Sequence, residues 1–285
     1  MYTTSFPIQL VPTGDDGAGL RLQNTPGQLQ RQHIIQNDSS GLTVHSDLIS
    51  VRHGAFSPSG DPATLVLIEF RFVGSRSEDR RFREATITVQ FVRGKNSVDS
   101  EDPIVVQIAP DGAFAMNPSV EQLETTVCAA AEAGVSLGPA TIGVGVGFER
   151  TSSLTREMRA TLEGAKRIEG RTSGPQNAAK WILRENPAKK DGIPGSLRTA
   201  ILIKPETTGQ FEAWVSVKAR VDWKHPIKQL FGNRVVDPVF FGEESERRSM
   251  GADIEGLDVE NMSACKLDEI GVVVVSTLSL VIIRL

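Results

Sequence analysis

Residues Phe211–Asp222 read FEAWVSVKARVD. Phe211, Ala213, Val215, Val217, Ala219 and Val221 alternate with Glu212, Trp214, Ser216, Lys218, Arg220 and Asp222. Successive side chains of an extended chain leave opposite sides, so this period of two describes a strand with one dry face and one wet face. Its length and regularity mark it as a central strand. The chain leading into it is built the same way. Asn177–Glu185 is an apolar segment, compatible with a helix capped by Asn177 and equally with a strand; Pro187 ends either form. A Pro/Gly-rich break, PAKKDGIPG, follows at 187–195, then a strand at Leu197–Ile203 and a polar turn, PETTG, at 205–209.

The same alternation recurs upstream. In Thr64–Val73, Val66, Ile68, Phe70 and Phe72 share one face, and Glu69 and Arg71 the other. After the charged tip SRSEDRR, Ala85, Ile87, Val89 and Phe91 alternate with Glu84, Thr86, Thr88 and Gln90. Two such runs across a polar loop predict a β-hairpin with an extended tip. Ile104–Ile108 is a further strand, stopped by Pro110-Asp111-Gly112. Thr125–Arg150 is rich in small residues and is divided at Gly138-Pro139 into two strands. In the second, Ile142, Val144, Val146 and Phe148 alternate with Thr141, Gly143, Gly145 and Gly147, so one face is apolar and the other nearly bare. Residues 151–170 fit either a helix capped by Ser152, with Leu154, Met158 and Leu162 on one side, or extended chain from Ala160 to Ile168.

Three regions follow from composition. Residues 1–40 are loop-rich, with one short strand at Ile8–Val11. Residues 41–241 form a β-rich domain whose last part, 224–241, is an apolar-studded loop. Residues 242–285 are an acidic linker and an apolar end. That end contains the uncharged run IGVVVVSTLSLVII, Ile270–Ile283. It falls short of the roughly 20 apolar residues a membrane-spanning helix needs, and it is rich in Val and Ile, so it reads as a buried strand; a membrane-surface element is the other reading. The expected fold is mainly β: an antiparallel β-sandwich-like domain with one or two short helices and an acidic C-terminal tail ending in an apolar strand.

The net charge of −4 conceals a pattern. Residues 1–149 carry −7, residues 150–234 carry +9 and residues 235–285 carry −6. Such segregation speaks of partners and association rather than of fold. The two cysteines, Cys128 and Cys265, lie far apart and outside any CxxC spacing, which predicts reduced thiols. The first residues, MYTTSFPIQLVPTGDDG, carry neither a basic n-region nor an apolar h-region, so a soluble, cytoplasmic protein is expected.

The sequence offers no catalytic constellation. His33, His45, His53 and His225 show no paired spacing, and no metal site is expected. Gly143-Val-Gly-Val-Gly147 lacks the Lys-Ser/Thr of a phosphate loop, and no cofactor is expected. There is no GxSxG elbow, and Cys128 sits among alanines, where a thiolate is poorly stabilised. Asp61, Asp79, Asp102 and Asp111 read as turn residues. Binding is more legible. Trp214, Lys218 and Arg220 share the polar face of their strand, Trp223 follows beside Lys224 and His225, and Lys189-Lys190 form a compact basic pair. Indole beside cations suits a binding surface or an interfacial membrane contact.

Three functions are compatible with this. The first is a non-enzymatic binding or interaction protein with a basic central surface. The second is a membrane-acting, pore-forming protein restrained by its acidic tail, with the small-residue pair of strands at 125–150 inserting as amphipathic β-structure. The third is a cofactor-independent cyclase or isomerase with an apolar pocket. The partners these readings admit are anionic lipid, an acidic protein surface and further copies of the chain; nucleic acid is not expected.

Overall fold

The computed structural model describes residues 22–39, 42–74, 81–94, 101–137, 140–205, 209–222, 237–242, 248–251, 253–270 and 282–284; of these, 39, 117–137, 140–158, 222, 269–270 and 282–284 are described by backbone alone. The strands are β1 (His33–Ser39), β2 (Leu42–Ala55), β3 (Pro62–Val73), β4 (Arg81–Arg93), β5 (Ile104–Ala109), β6 (Gly112–Leu137), β7 (Ala140–Arg167), β8 (Ala178–Arg184), β9 (Ser196–Lys204), β10 (Phe211–Asp222), β11 (Val239–Phe241) and β12 (Ile282–Arg284). A 3-10 turn at Met262–Ala264 and a four-residue helix, α1 (Leu267–Ile270), complete the described elements. The fold is mainly β, as the alternation predicts. A five-stranded sheet has the order β1-β2-β3-β9-β5 and a seven-stranded sheet the order β11-β10-β4-β8-β7-β6-β12. All the pairings are antiparallel.

The apolar faces of the two sheets meet in one core. From the five-stranded sheet come Val66, Ile68, Phe70, Leu197 and Ile201; from the seven-stranded sheet come Ile87, Val89, Phe91, Trp181 and Leu183. Phe211 stacks on Phe241 with ring centroids 4.6 Å apart and leans on Phe91 at 6.4 Å. Each such fully buried side chain contributes about 1.5–3 kcal/mol of transfer free energy. Trp181 is fully buried, and its indole N–H donates to the Pro110 carbonyl oxygen at 2.9 Å, which satisfies the one polar atom that its burial would otherwise strand.

The expected hairpin between Thr64–Val73 and the return strand is not formed. β3 pairs with β2 and β9, whereas β4 pairs with β10 and β8, so the two runs belong to opposite sheets. They still face each other across the core, where Phe72 and Phe82 meet edge to face at 5.6 Å. Alternation reports a dry face and not the identity of the neighbour, which is why a hairpin and a sandwich crossing read alike. Both ambiguous segments are extended: Asn177–Glu185 contains β8, and 151–167 belongs to β7. β10 lies next to the short edge strand β11 rather than at the centre of its sheet. Within the loop-rich N-terminal stretch, β1 adds an edge strand; Ile8–Val11 lies outside the described residues.

A third layer covers the outer face of the five-stranded sheet. Met262 and Leu267 are buried there against Leu65, Leu67, Ala200 and Leu202, with Ile254 and Leu257 packed beside them. Backbone bonds fasten this layer: Val51 and Met250 form a bridge, and the Ala55 N–H donates to the Val259 carbonyl at 2.8 Å. Gly54 makes the approach feasible, since a Cβ there would stand 2.1 Å from the Val259 oxygen. β3 is therefore dry on both sides from Ala63 to Phe70, although Glu69 interrupts the run. Glu69 is buried but engages Arg71 and, at 3.3 Å, Arg198. Of the apolar run at Ile270–Ile283, residues 271–281 lie outside the described residues, and Ile282–Arg284 is a strand on the β6 edge.

Candidate functional site

Two features of the seven-stranded sheet stand out, and both involve β7. The first is a ribbon. β6 and β7 pair from Gly112↔Gly164 to Leu137↔Ala140. Near its base the pair is held in the sheet: β8 lines β7 at Thr161–Arg167 and β12 lines β6 at Phe114–Met116. Two residues of β6, Asn117 and Pro118, then oppose the single residue Arg159, which makes a β-bulge between the pairs Met116↔Ala160 and Ser119↔Met158. A bulge is where a proline, lacking an N–H, fits a ladder, and it bends the strand that carries it. From Ser119↔Met158 to Leu137↔Ala140 the strands pair for 19 positions, about 60 Å at the antiparallel rise, and no third strand among the described residues pairs with either.

Register sorts the ribbon into faces, because directly opposed residues of an antiparallel pair share a side. The distal half has an apolar face of Ala129↔Phe148, Ala131↔Val146, Ala133↔Val144, Val135↔Ile142 and Leu137↔Ala140. Its other face has Cys128↔Glu149, Ala130↔Gly147, Glu132↔Gly145, Gly134↔Gly143 and Ser136↔Thr141. The proximal half, Ser119–Val127 with Arg150–Met158, is mostly polar on both faces. Sequence reading found the distal strands but missed the proximal shaft, whose mixed Ser, Thr and Glu composition carries no apolar alternation.

The second feature is a basic sheet face. Four cross-strand rows run over β10, β4, β8 and β7: Arg220–Glu84–Arg184–Thr161, Lys218–Thr86–Ile182–Glu163, Ser216–Thr88–Lys180–Ala165 and Trp214–Gln90–Ala178–Arg167. The sequence candidates Trp214, Lys218 and Arg220 thus share one face; Trp214 is half-buried and the two cations are exposed. At one end a cleft of about 970 Å³ is lined by Arg83, Glu84, Arg159, Glu163, Arg184 and Arg220 among others. The Arg184 guanidinium donates to Glu163 at 2.8 Å, Arg220 donates to Glu84 at 3.2 Å, and Arg81 and Arg83 converge on the buried Glu185 at 2.8 and 3.0 Å. The exposed bridges among these stabilise by only about 0.2–1 kcal/mol each, so they fix side-chain positions more than they hold the fold. The Thr161 hydroxyl, also in the cleft wall, is buried with no hydrogen-bond partner.

Lys189 and Lys190 are exposed on the turn after Pro187, another cleft residue; the Asn186 carboxamide oxygen holds that turn by accepting the Ala188 and Lys189 N–H groups. Trp223 lies outside the described residues. Sequence reasoning missed Arg159 and Glu163, four residues apart on β7, and Arg184 of β8, which joins them only when β7 and β8 pair. Cys265 is half-buried in a second hollow, beside Lys166, Lys266 and Asp268. Both clefts carry charged side chains in their walls. No helix among the described residues is long and apolar enough to cross a membrane.

No protein-family model matches the chain, and no curated protein sequence does. Among solved structures the chain resembles the Clostridium perfringens NetB toxin in the membrane inserted form, at 10% identity and a TM-score of 0.27, over 77% of this chain and 92% of that one. At that score the likeness assigns neither a family nor a function.

Proposed function

We propose that this chain acts on membranes and that the β6–β7 ribbon is the part that enters the bilayer. The supporting observation is the register of the distal half, which puts nine consecutive residues of each strand, Ala129–Leu137 and Ala140–Phe148, into a ribbon with one apolar and one small-residue face. A tilted transmembrane β-strand needs about 9–11 residues, and an outward apolar band is about 25 Å tall. In hydrocarbon every backbone N–H and C=O must be paired, and a two-stranded ribbon leaves both outer edges open. Insertion therefore requires several copies whose ribbons close into a barrel, the apolar faces toward lipid and the small faces toward the lumen. The proximal polar half, about 30 Å long, spaces the sandwich from the bilayer.

The test is dye release from phosphatidylcholine–phosphatidylserine vesicles. The full chain releases the dye and forms an oligomer on the membrane. Val144→Asp, on the apolar face, abolishes release while circular dichroism of the soluble protein is unchanged. Release that survives this substitution overturns the reading. The basic sheet face favours a complementary reading as a binding surface for anionic lipid, since each Lys or Arg near such a surface contributes about 1 kcal/mol. Under it, Lys218→Glu with Arg220→Glu lowers vesicle binding, and the loss is largest at low salt.

A further inference from the structure

We infer that the pore built from this ribbon selects cations; the inference rests on the membrane reading and names what that assembly conducts. The ground is a segregation of charge by register over the whole ribbon. The face that continues the small-residue side carries Val120↔Glu157, Gln122↔Thr155, Glu124↔Ser153, Thr126↔Thr151, Cys128↔Glu149, Ala130↔Gly147, Glu132↔Gly145, Gly134↔Gly143 and Ser136↔Thr141. It holds four glutamates, Glu124, Glu132, Glu149 and Glu157, and no lysine or arginine. The ribbon's two basic residues, Arg150 and Arg156, fall on the opposite face, paired with Val127 and Glu121.

Amphipathicity decides which face meets water. The apolar face of the distal half has to meet lipid, so the glutamate face lines the lumen. Each copy then contributes one carboxylate to each of four rings stacked along the axis. Rings of Asp or Glu are a recognised cation filter: they concentrate cations in the lumen and repel anions, without binding either tightly enough to stop flow. Glu132 opposes Gly145 and lies between Glu149 and the tip, so it is the one acid well inside the membrane-spanning part. There the low-dielectric wall focuses its field on the lumen. The Debye length falls from about 30 Å at 0.01 M salt to about 3 Å at 1 M, so the selectivity fades as salt rises.

The experiment is the reversal potential of the full chain in a planar phosphatidylcholine–phosphatidylserine bilayer under a potassium chloride gradient. The expected result is a reversal potential displaced toward that of potassium. Glu132→Gln reduces the displacement, Glu132→Lys drives it toward that of chloride, and Glu121→Gln on the other face leaves it where it was. Conductance that prefers chloride, or that ignores Glu132→Lys, overturns the cation assignment and leaves the pore standing. Absence of any conductance rejects the pore itself, and the assignment with it.

Discussion

At the scale of single residues, close packing sets the most testable demands. A Cβ on Gly164 would stand 2.1 Å from the Pro110 oxygen and 2.9 Å from the Trp181 ring. Gly164 therefore allows the indole to reach its carbonyl partner, and Gly164→Ala should cost about 1–3 kcal/mol, the usual range for overpacking. The check is thermal denaturation, in which the midpoint drops by several degrees and the Trp181 fluorescence changes with it. Val217 lies on the dry face of β10, opposite Ile87, with 9% of its surface exposed. Val217→Asp places a carboxylate without a partner in the core and should cost about 3–5 kcal/mol, enough to remove most of the soluble yield. Its neighbour Lys218 is exposed, and Lys218→Ala should shift stability by no more than about 0.5 kcal/mol. Equal effects from the two substitutions would reverse the face assignment.

The strand elements show how the ribbon can be so long without a third partner. Its base is anchored on both outer edges, by β8 and by β12, and beyond the bulge it is a two-stranded extension. Isolated two-stranded ribbons are marginal in water, so the extension adds little to the stability of the sandwich. Thr126 and Thr151 are opposed in register, so the chain can be closed there by an Asn-Gly turn with residues 127–150 deleted. The shortened protein should keep its melting temperature within a few degrees and lose all vesicle permeabilisation. A collapse of the fold on this deletion would mean that the distal half belongs to the sandwich, which would remove it as an insertion element.

For the molecule as a whole, the C-terminal segment is a structural layer. Charge alone suggests an acidic tail resting on the basic middle of the chain, yet the described stretch 253–268 packs through Ile254, Leu257, Met262 and Leu267 on the outer face of the five-stranded sheet, away from the core shared with the basic sheet, and Ile282–Arg284 pairs with β6. Arg52 illustrates the attachment: it is buried and donates to the Gly251 carbonyl at 2.9 Å and to Asp253 at 3.1 Å. Ending the chain at Gly242 should therefore uncover Leu65, Leu67 and Leu202, each worth about 1.5–3 kcal/mol of burial, and yield an aggregating protein. Size-exclusion chromatography and circular dichroism check this. A folded, monomeric truncation that binds anionic vesicles more tightly would restore the screening role.

The sequence by itself determined local facts: that Thr64–Val73, Leu197–Ile203 and Phe211–Asp222 are extended, which side of Phe211–Asp222 is dry, and that 125–150 is two small-residue strands with one apolar face, whereas it left 151–170 and 177–185 open between helix and strand. Those facts follow from a period of two, which each strand carries in its own residues. The three-dimensional structure decided the partners. It sent β3 and β4 to opposite sheets, made β3 dry on both faces by laying the C-terminal layer over it, and gathered Arg159, Arg184 and Arg220 into one cleft. Which strand lies beside which, and what covers the second face of a sheet, depends on contacts between segments up to some 200 residues apart, as in the bond from Arg52 to Gly251. No local period encodes such contacts, because they form only where whole faces match in shape and in buried area.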